Sequence, residues 1–336
     1  MENWWIYRGA ADPHAGVLRL PDPPPWRAFN GGPPVVPHHD QDPGAPRRLG
    51  DHRRAVTYRP REHELELINA ALYLRRPLLV TGKPGTGKTT LAYAVAHELA
   101  LGPVLRWPIT SRSTIQQGLY DYDAIGRLRE AGLKGREAGA DDPDIGRYLT
   151  LGPLGTALLP YERPRVLLID EIDKSDIDLP NDLLDIFEEG EYRIPELRRI
   201  SSEHPDVAVQ TADGGEATVH RGHVGCRAFP FIVLTSNGER EFPPAFLRRC
   251  LRLELREPDS EQLGRIVEAH LGTAAQAAGE DLIDRFAERR NSGSLATDQL
   301  LNALYLTSAA AVDGNSSREQ LADLIMRHLE SDADET

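Results

Sequence analysis

The sequence predicts an α/β protein: an αβα core built on a five-stranded parallel sheet, followed by a small all-α lid domain. Three observations predict it. Five short apolar runs are separated by longer segments, several of them helical in pattern, as the crossovers of a parallel sheet require. Runs such as Val166-Leu167-Leu168-Ile169 are continuous rather than alternating, which fits strands covered on both faces. Beyond about Pro258 no strand pattern returns, and apolar residues recur at helical spacing.

In chain order, residues 1–54 form a Pro/Gly-rich N-terminal arm, where proline removes amide donors and disfavours helix. Trp4, Trp5, Ile6 and Tyr7 sit near its tip, either as a docking peptide for a partner or tucked onto their own domain. Residues 55–257 hold the core. Its helix from Glu62 is signalled by Leu65, Ile68, Ala71 and Leu72. Its strands are Pro77–Thr81, Val104–Trp107, Val166–Asp170, Phe231–Thr235 and Leu251–Leu255. Two inserts, at about 109–160 and 191–228, do not fit the bare sheet; in the second, Asp213-Gly214-Gly215 between alternating runs signals a hairpin. Residues 258–330 form the helical lid, with helices near 263–271, 281–289, 297–311 and 317–329, and 331–336 an acidic tail.

Composition narrows the function. The 336 residues suggest two domains at roughly 100–200 residues each. A net charge of −13 gives no global attraction for a polyanion, so nucleic acid is not the expected partner. No apolar stretch approaches the roughly 20 residues that span a bilayer. Met1–Tyr7 lacks a basic segment followed by an apolar run, and two cysteines, Cys226 and Cys250, are too few for a disulfide framework; a cytoplasmic chain with inert thiols is expected.

Gly82-Lys83-Pro84-Gly85-Thr86-Gly87-Lys88-Thr89 satisfies G-x-x-x-x-G-K-[ST] between a strand and a helix. Glycines at 82, 85 and 87 allow unusual dihedrals and close approach, so that successive amides point at phosphate oxygens beside a helix N-terminus, and Gly82, Pro84, Gly85, Thr86, Gly87, Lys88, Thr89 and Thr90 are expected to bind the nucleotide. Lys88 is placed to reach the β- and γ-phosphates, and Thr89 to put its hydroxyl on magnesium. These residues define a P-loop NTPase core with ATP and Mg²⁺ as its ligands.

Two carboxylates, Asp170 and Glu171, end the third strand at the edge where ligands bind in parallel sheets. Asp170 can hold the magnesium through water, and Glu171 can act as general base on the attacking water. Asp173 is open to three roles: helix cap, support of the metal shell, or a solvated surface group. The run Phe231–Thr235 ends in Ser236-Asn237-Gly238, and the order along the chain makes Asn237 the group that orients water and senses the γ-phosphate. Before the last strand, Arg248-Arg249 can project into a neighbouring subunit and stabilise charge on the phosphoryl group. Arg249 is the preferred finger and Arg248 the alternative.

These elements, in this order and with helices after them, resemble the AAA+ superfamily over roughly residues 55–330. The two inserts, Glu188-Glu189-Gly190-Glu191, and Pro244-Ala245-Phe246-Leu247-Arg248-Arg249 resemble the MoxR branch. In that branch the latter run usually ends Asp-Arg-Phe, which sets the finger on Arg249. The resemblance implies a homo-oligomeric ring, commonly hexameric, that remodels a protein client or partner, with a von Willebrand factor A protein often beside it. The chain departs from the branch in its lid: where a Ser-Pro-Arg element supplies a second sensor arginine, it reads Ser292-Gly293-Ser294-Leu295-Ala296-Thr297, leaving Arg289 or Arg290 as substitutes. Tyr120 and Tyr122 of the first insert are either pore-facing or packing residues. Two alternatives to protein remodelling are a nucleic-acid-stimulated motor, told apart by stimulation with DNA or RNA, and a nucleotide-gated switch in a bacterial defence or signalling operon, told apart by gene neighbourhood.

Overall fold

The structure, a computed structural model, describes residues 4–10, 12–38, 55–133, 145–290 and 297–309. Helix α1 (Glu62–Leu74) is capped where Glu64 accepts from the Arg61 amide at 3.2 Å, and it stops at Arg75, which turns left-handed (φ 53°) two residues ahead of Pro77. Strand β1 (Leu78–Thr81), α2 (Lys88–Glu98) and β2 (Leu105–Pro108) follow. The first insert contributes α3 (Ile115–Leu119), β3 (Tyr120–Tyr122), α4 (Ala124–Leu133), β4 (Leu149–Leu151) and α5 (Pro153–Ala157). Then come β5 (Val166–Asp170) and α6 (Leu179–Glu189). The second insert contributes β6 (Glu191–Arg193), α7 (Pro195–Ile200), β7 (Asp206–Gln210), β8 (Glu216–His220) and β9 (His223–Gly225). Strand β10 (Phe231–Ser236), α8 (Pro244–Arg249) and β11 (Leu251–Glu254) complete the core.

The five expected strands form one parallel sheet in the order β11-β1-β10-β5-β2, so the acid strand β5 lies directly beside the sensor strand β10. Successive residues of a strand face opposite sides. Leu79, Leu167, Ile169, Ile232 and Leu234 enter a core shared with α5, α6 and the inserts. Leu78, Val80, Val166, Leu168 and Val233 enter a second core with α1 and α2. The expected hairpin is present as β7 and β8, antiparallel and joined across Asp213-Gly214-Gly215. The two inserts do more than the sequence suggested: they combine in one further sheet, β3-β4-β7-β8-β9-β6.

That hairpin is pinned through its turn. Arg165, 1% exposed, places Nη1 2.8 Å from Asp213 Oδ2, donates from Nη2 to the Pro103 carbonyl at 3.1 Å, and lies over the Tyr161 ring. Removing one member of a buried pair strands the other charge. Arg165→Ala is therefore expected to lower stability by about 3–5 kcal/mol, read from urea unfolding. A loss under 1 kcal/mol, on the order of a surface pair, would show that the hairpin holds without it.

The first described segment of the arm, residues 4–10, lies along the core rather than extending from it. Trp5, Ile6 and Tyr7 are buried in the α1–α2 core. The Asn69 side chain accepts from the Ile6 and Tyr7 amides at 2.7 and 2.9 Å and donates to the Tyr7 carbonyl at 2.8 Å. Glu98, also buried, accepts from the Arg8 and Ala10 amides at 2.6 and 2.7 Å and contacts His14 Nε2 at 3.0 Å. The tip is thus tucked onto its own domain, and the docking-peptide alternative does not fit Trp5–Tyr7. Tyr120 is likewise a packing residue: it is buried, and its hydroxyl donates to Glu196 at 3.0 Å. Burial pushes the Cys226 and Cys250 thiols up to about 12, which keeps them protonated and inert.

After the core come α9 (Ser260–Leu271), α10 (Thr273–Ala278), α11 (Glu280–Arg290) and α12 (Thr297–Ala309); α9, α11 and α12 pack around their own apolar cluster, which includes Leu263, Phe286 and Leu300. The expected helix at 317–329 and the tail at 331–336 lie outside the described residues. No helix among the described residues is long and apolar enough to cross a membrane.

Candidate nucleotide site

A cleft of about 620 Å³ opens at the carboxyl ends of β1, β5 and β10, roofed by α9 and α12. The loop between β1 and α2 forms its floor. Gly85 and Gly87 have φ of +77° and +91°, a region costly for side-chain-bearing residues. A Cβ on Gly82 would meet the Leu255 carbonyl at 2.7 Å. Pro84, Gly85, Thr86, Gly87, Lys88, Thr89 and Thr90 all line the cleft, whereas Gly82 shapes the loop from behind. Lys88 Nζ donates to the Gly82 and Lys83 carbonyls at 2.6 and 2.9 Å. Burial lowers its pKa, while Asp173, Asp170 and Glu171 pull it back up. Lys83 instead turns outward to Glu257 at 3.1 Å.

The acid pair sits opposite. Asp170 Oδ1 accepts from Thr89 Oγ1 at 3.1 Å and from Thr235 Oγ1 at 2.8 Å. Its Oδ2 accepts from Arg106 Nε at 3.1 Å and Nη2 at 2.6 Å. Glu171 lines the cleft in a left-handed conformation (φ 61°, ψ 50°), which is costly for a non-glycine residue, by roughly 1–3 kcal/mol. Its amide donates to Thr235 Oγ1 at 2.8 Å, and its carboxylate accepts from Lys174 at 2.8 Å. Thr235 therefore ties both acids to the sensor strand.

Asn237 also lines the cleft, with its amide nitrogen 3.3 Å from Glu239 Oε1. Asp173 is buried rather than solvated, and it does not cap the helix that follows, whose N-cap is Asp178. Its Oδ2 accepts from the Asn237 and Glu239 amides at 2.9 and 3.3 Å, fastening the loop after β10 to the acid motif. Arg249 does not line this cleft. It is partly exposed on α8, with Nε 2.8 Å from Glu188 Oε1, a charge contact in which the N–H is not aligned. Glu188 is also held by the buried Arg27 of the arm, at 3.2 Å. Arg248 is exposed and donates to the Pro244 carbonyl.

Sequence reasoning missed three contributors. Arg106 interrupts the apolar run Leu105-Arg106-Trp107 beside β5, and an arginine in such a strand was the available signal. Thr235 was read only as strand. Thr297 Oγ1 donates to the Gly85 carbonyl at 2.9 Å, joining the lid to the loop. Residues 292–296, where a second sensor was sought, lie outside the described residues, as do the side chains of Arg289 and Arg290.

The glycine cradle, the buried lysine and the hydroxyl–carboxylate pair Thr89–Asp170 define a P-loop nucleotide-binding protein, and the hard oxygens of that pair suit a magnesium ion shared with phosphates. Residues 77–250, just over half of the chain, match the AAA domain family of the dynein-related subfamily, and the chain belongs to it. AAA domains are in general ATPases. No curated protein matches the chain.

Proposed function

We propose that this chain is a MoxR-like AAA+ ATPase that hydrolyses ATP with Mg²⁺ in a homo-oligomeric ring, hexameric as is common in that branch, and remodels a protein client. The observation that carries the nucleotide chemistry is the convergence on one cleft of the Pro84–Thr90 cradle, with Lys88 and Thr89 in it, and of Asp170, Glu171 and Asn237. The proposed organisation is an arm (1–54), a core (55–257) and a lid (258–330).

In this reading the cradle amides and Lys88 bind and neutralise the β- and γ-phosphates. Thr89 and Asp170 would hold the magnesium, which when bound would offset charge developing on the phosphates. Glu171 accepts a proton from the attacking water, and Asn237 orients that water. Thr235 keeps both acids in register, and Asp173 keeps Asn237 at the site. Arg249 stands outside its own cleft, so it acts on a neighbour's nucleotide; this supports an oligomer as the working form. The two inserts, which carry the sequence resemblance to that branch, add a second sheet to the core.

The test is nucleotide affinity. Lys88→Ala is expected to weaken binding of a fluorescent ATP analogue by about 10–100-fold, equivalent to roughly 1.5–3 kcal/mol for hydrogen bonds to a charged group. If wild-type protein shows no magnesium-dependent affinity for adenine nucleotides, the reading fails.

A further inference from the structure

Asp170 ends β5 with both carboxylate oxygens engaged, but by different kinds of donor. Thr89 and Thr235 offer hydroxyls to Oδ1, which orient the carboxylate and leave its charge intact. Arg106 grips Oδ2 with two N–H groups and neutralises it. The pairing raises the Arg106 pKa, with the hydrogen bond to Asp170 as the largest cause, so the guanidinium stays charged. Arg106 comes from the edge strand β2, lines the cleft, and is 49% exposed, which leaves it room to swing away.

We propose that Arg106 is the resident counterion of Asp170 and competes with magnesium for that carboxylate, so that its release accompanies metal–nucleotide binding and sets the magnesium concentration the site requires. The inference rests on the nucleotide reading above. A cation held by Thr89 and Asp170 would share that carboxylate with the guanidinium, and like charges gathered on one carboxylate repel even at the effective dielectric of a protein surface. The arginine therefore either leaves Asp170 or weakens the metal's hold. Until the metal arrives, it spares the incoming phosphates a bare carboxylate, which would repel them.

The experiment measures affinity of the full chain for a fluorescent ADP analogue across a magnesium titration, for wild type, Arg106→Gln and Arg106→Lys. Mn²⁺ electron paramagnetic resonance in the presence of ADP reads metal binding directly. For Arg106→Gln the half-saturating metal concentration is expected to fall about tenfold, which corresponds to about 1.4 kcal/mol. Affinity at saturating metal should be unchanged, and affinity without metal should weaken. Arg106→Lys should stay near wild type. In an Asp170→Asn background, Arg106→Gln should produce no further shift. An unmoved metal midpoint overturns the proposal. So does a loss of affinity at saturating metal, which would make Arg106 a phosphate ligand instead. Absence of ADP binding by the wild type at every metal concentration overturns the nucleotide reading itself, a result distinct from these.

Discussion

Arg249→Ala is expected to leave ATP bound to each subunit while cutting turnover by about 10³–10⁵-fold, the range for a phosphoryl-transfer arginine supplied by a neighbour. The side chain is partly exposed, so its removal opens no cavity, although it leaves Glu188 with Arg27 alone. The decisive form of the experiment mixes subunits. Arg249→Ala subunits retain a sound cleft, and Lys88→Ala subunits retain a sound finger. Mixed rings should regain part of the wild-type ATPase rate through interfaces that combine the two. If no ratio of the mixture hydrolyses ATP, the in-trans role is wrong. Arg248→Ala in the same assay should change little, because Arg248 only returns to its own helix at the Pro244 carbonyl.

Glu171→Gln gives the second large effect. Turnover should drop by about 10²–10⁴-fold, the usual contribution of a positioned general base. Nucleotide should stay bound, because phosphates and metal are assigned to Lys88, Thr89 and Asp170. Equilibrium binding together with single-turnover hydrolysis separates the two quantities. The strained backbone at Glu171 makes glutamine the appropriate change: it preserves size and the amide donated to Thr235, and alters only the carboxylate. A Glu171→Gln protein that hydrolyses ATP at the wild-type rate would remove Glu171 from the chemistry. One trapped with nucleotide is also the natural bait for a client.

The sheet and the phosphate loop are legible in the sequence because both are local. Five apolar runs announce five strands, and eight consecutive residues carry the loop. The adjacency of β5 and β10 is a matter of order along the chain, which is how Asn237 is placed beside the acids. What is not legible depends on distant partners. The contact of β4 with β7 joins Thr150 to Gln210 and leaves no local periodicity. Asp173 is open to several roles from its neighbours alone, and only the folded chain brings the amides of Asn237 and Glu239 to it. Arg106 is hidden for the same reason, since nothing near it in sequence marks the carboxylate it meets. The arm misleads in the opposite direction. Its prolines disfavour long helices, but a segment with only short helical turns, Ala15–Arg19 and Pro25–Arg27 among the described residues, can still lie closely along a surface.

How that arm is held bears on which changes it tolerates. At Ile6, Tyr7, Arg8 and Ala10, Asn69 and Glu98 grasp main-chain amides; Glu98 also contacts the side chain of His14. Such a grip is largely blind to amino-acid identity, so the side chains at Arg8 and Ala10, both exposed, are free to drift while the strap keeps its course. The freedom stops at Gly9. Its φ of +69° and the 2.4 Å from an added Cβ to Pro60 leave no room for any larger residue.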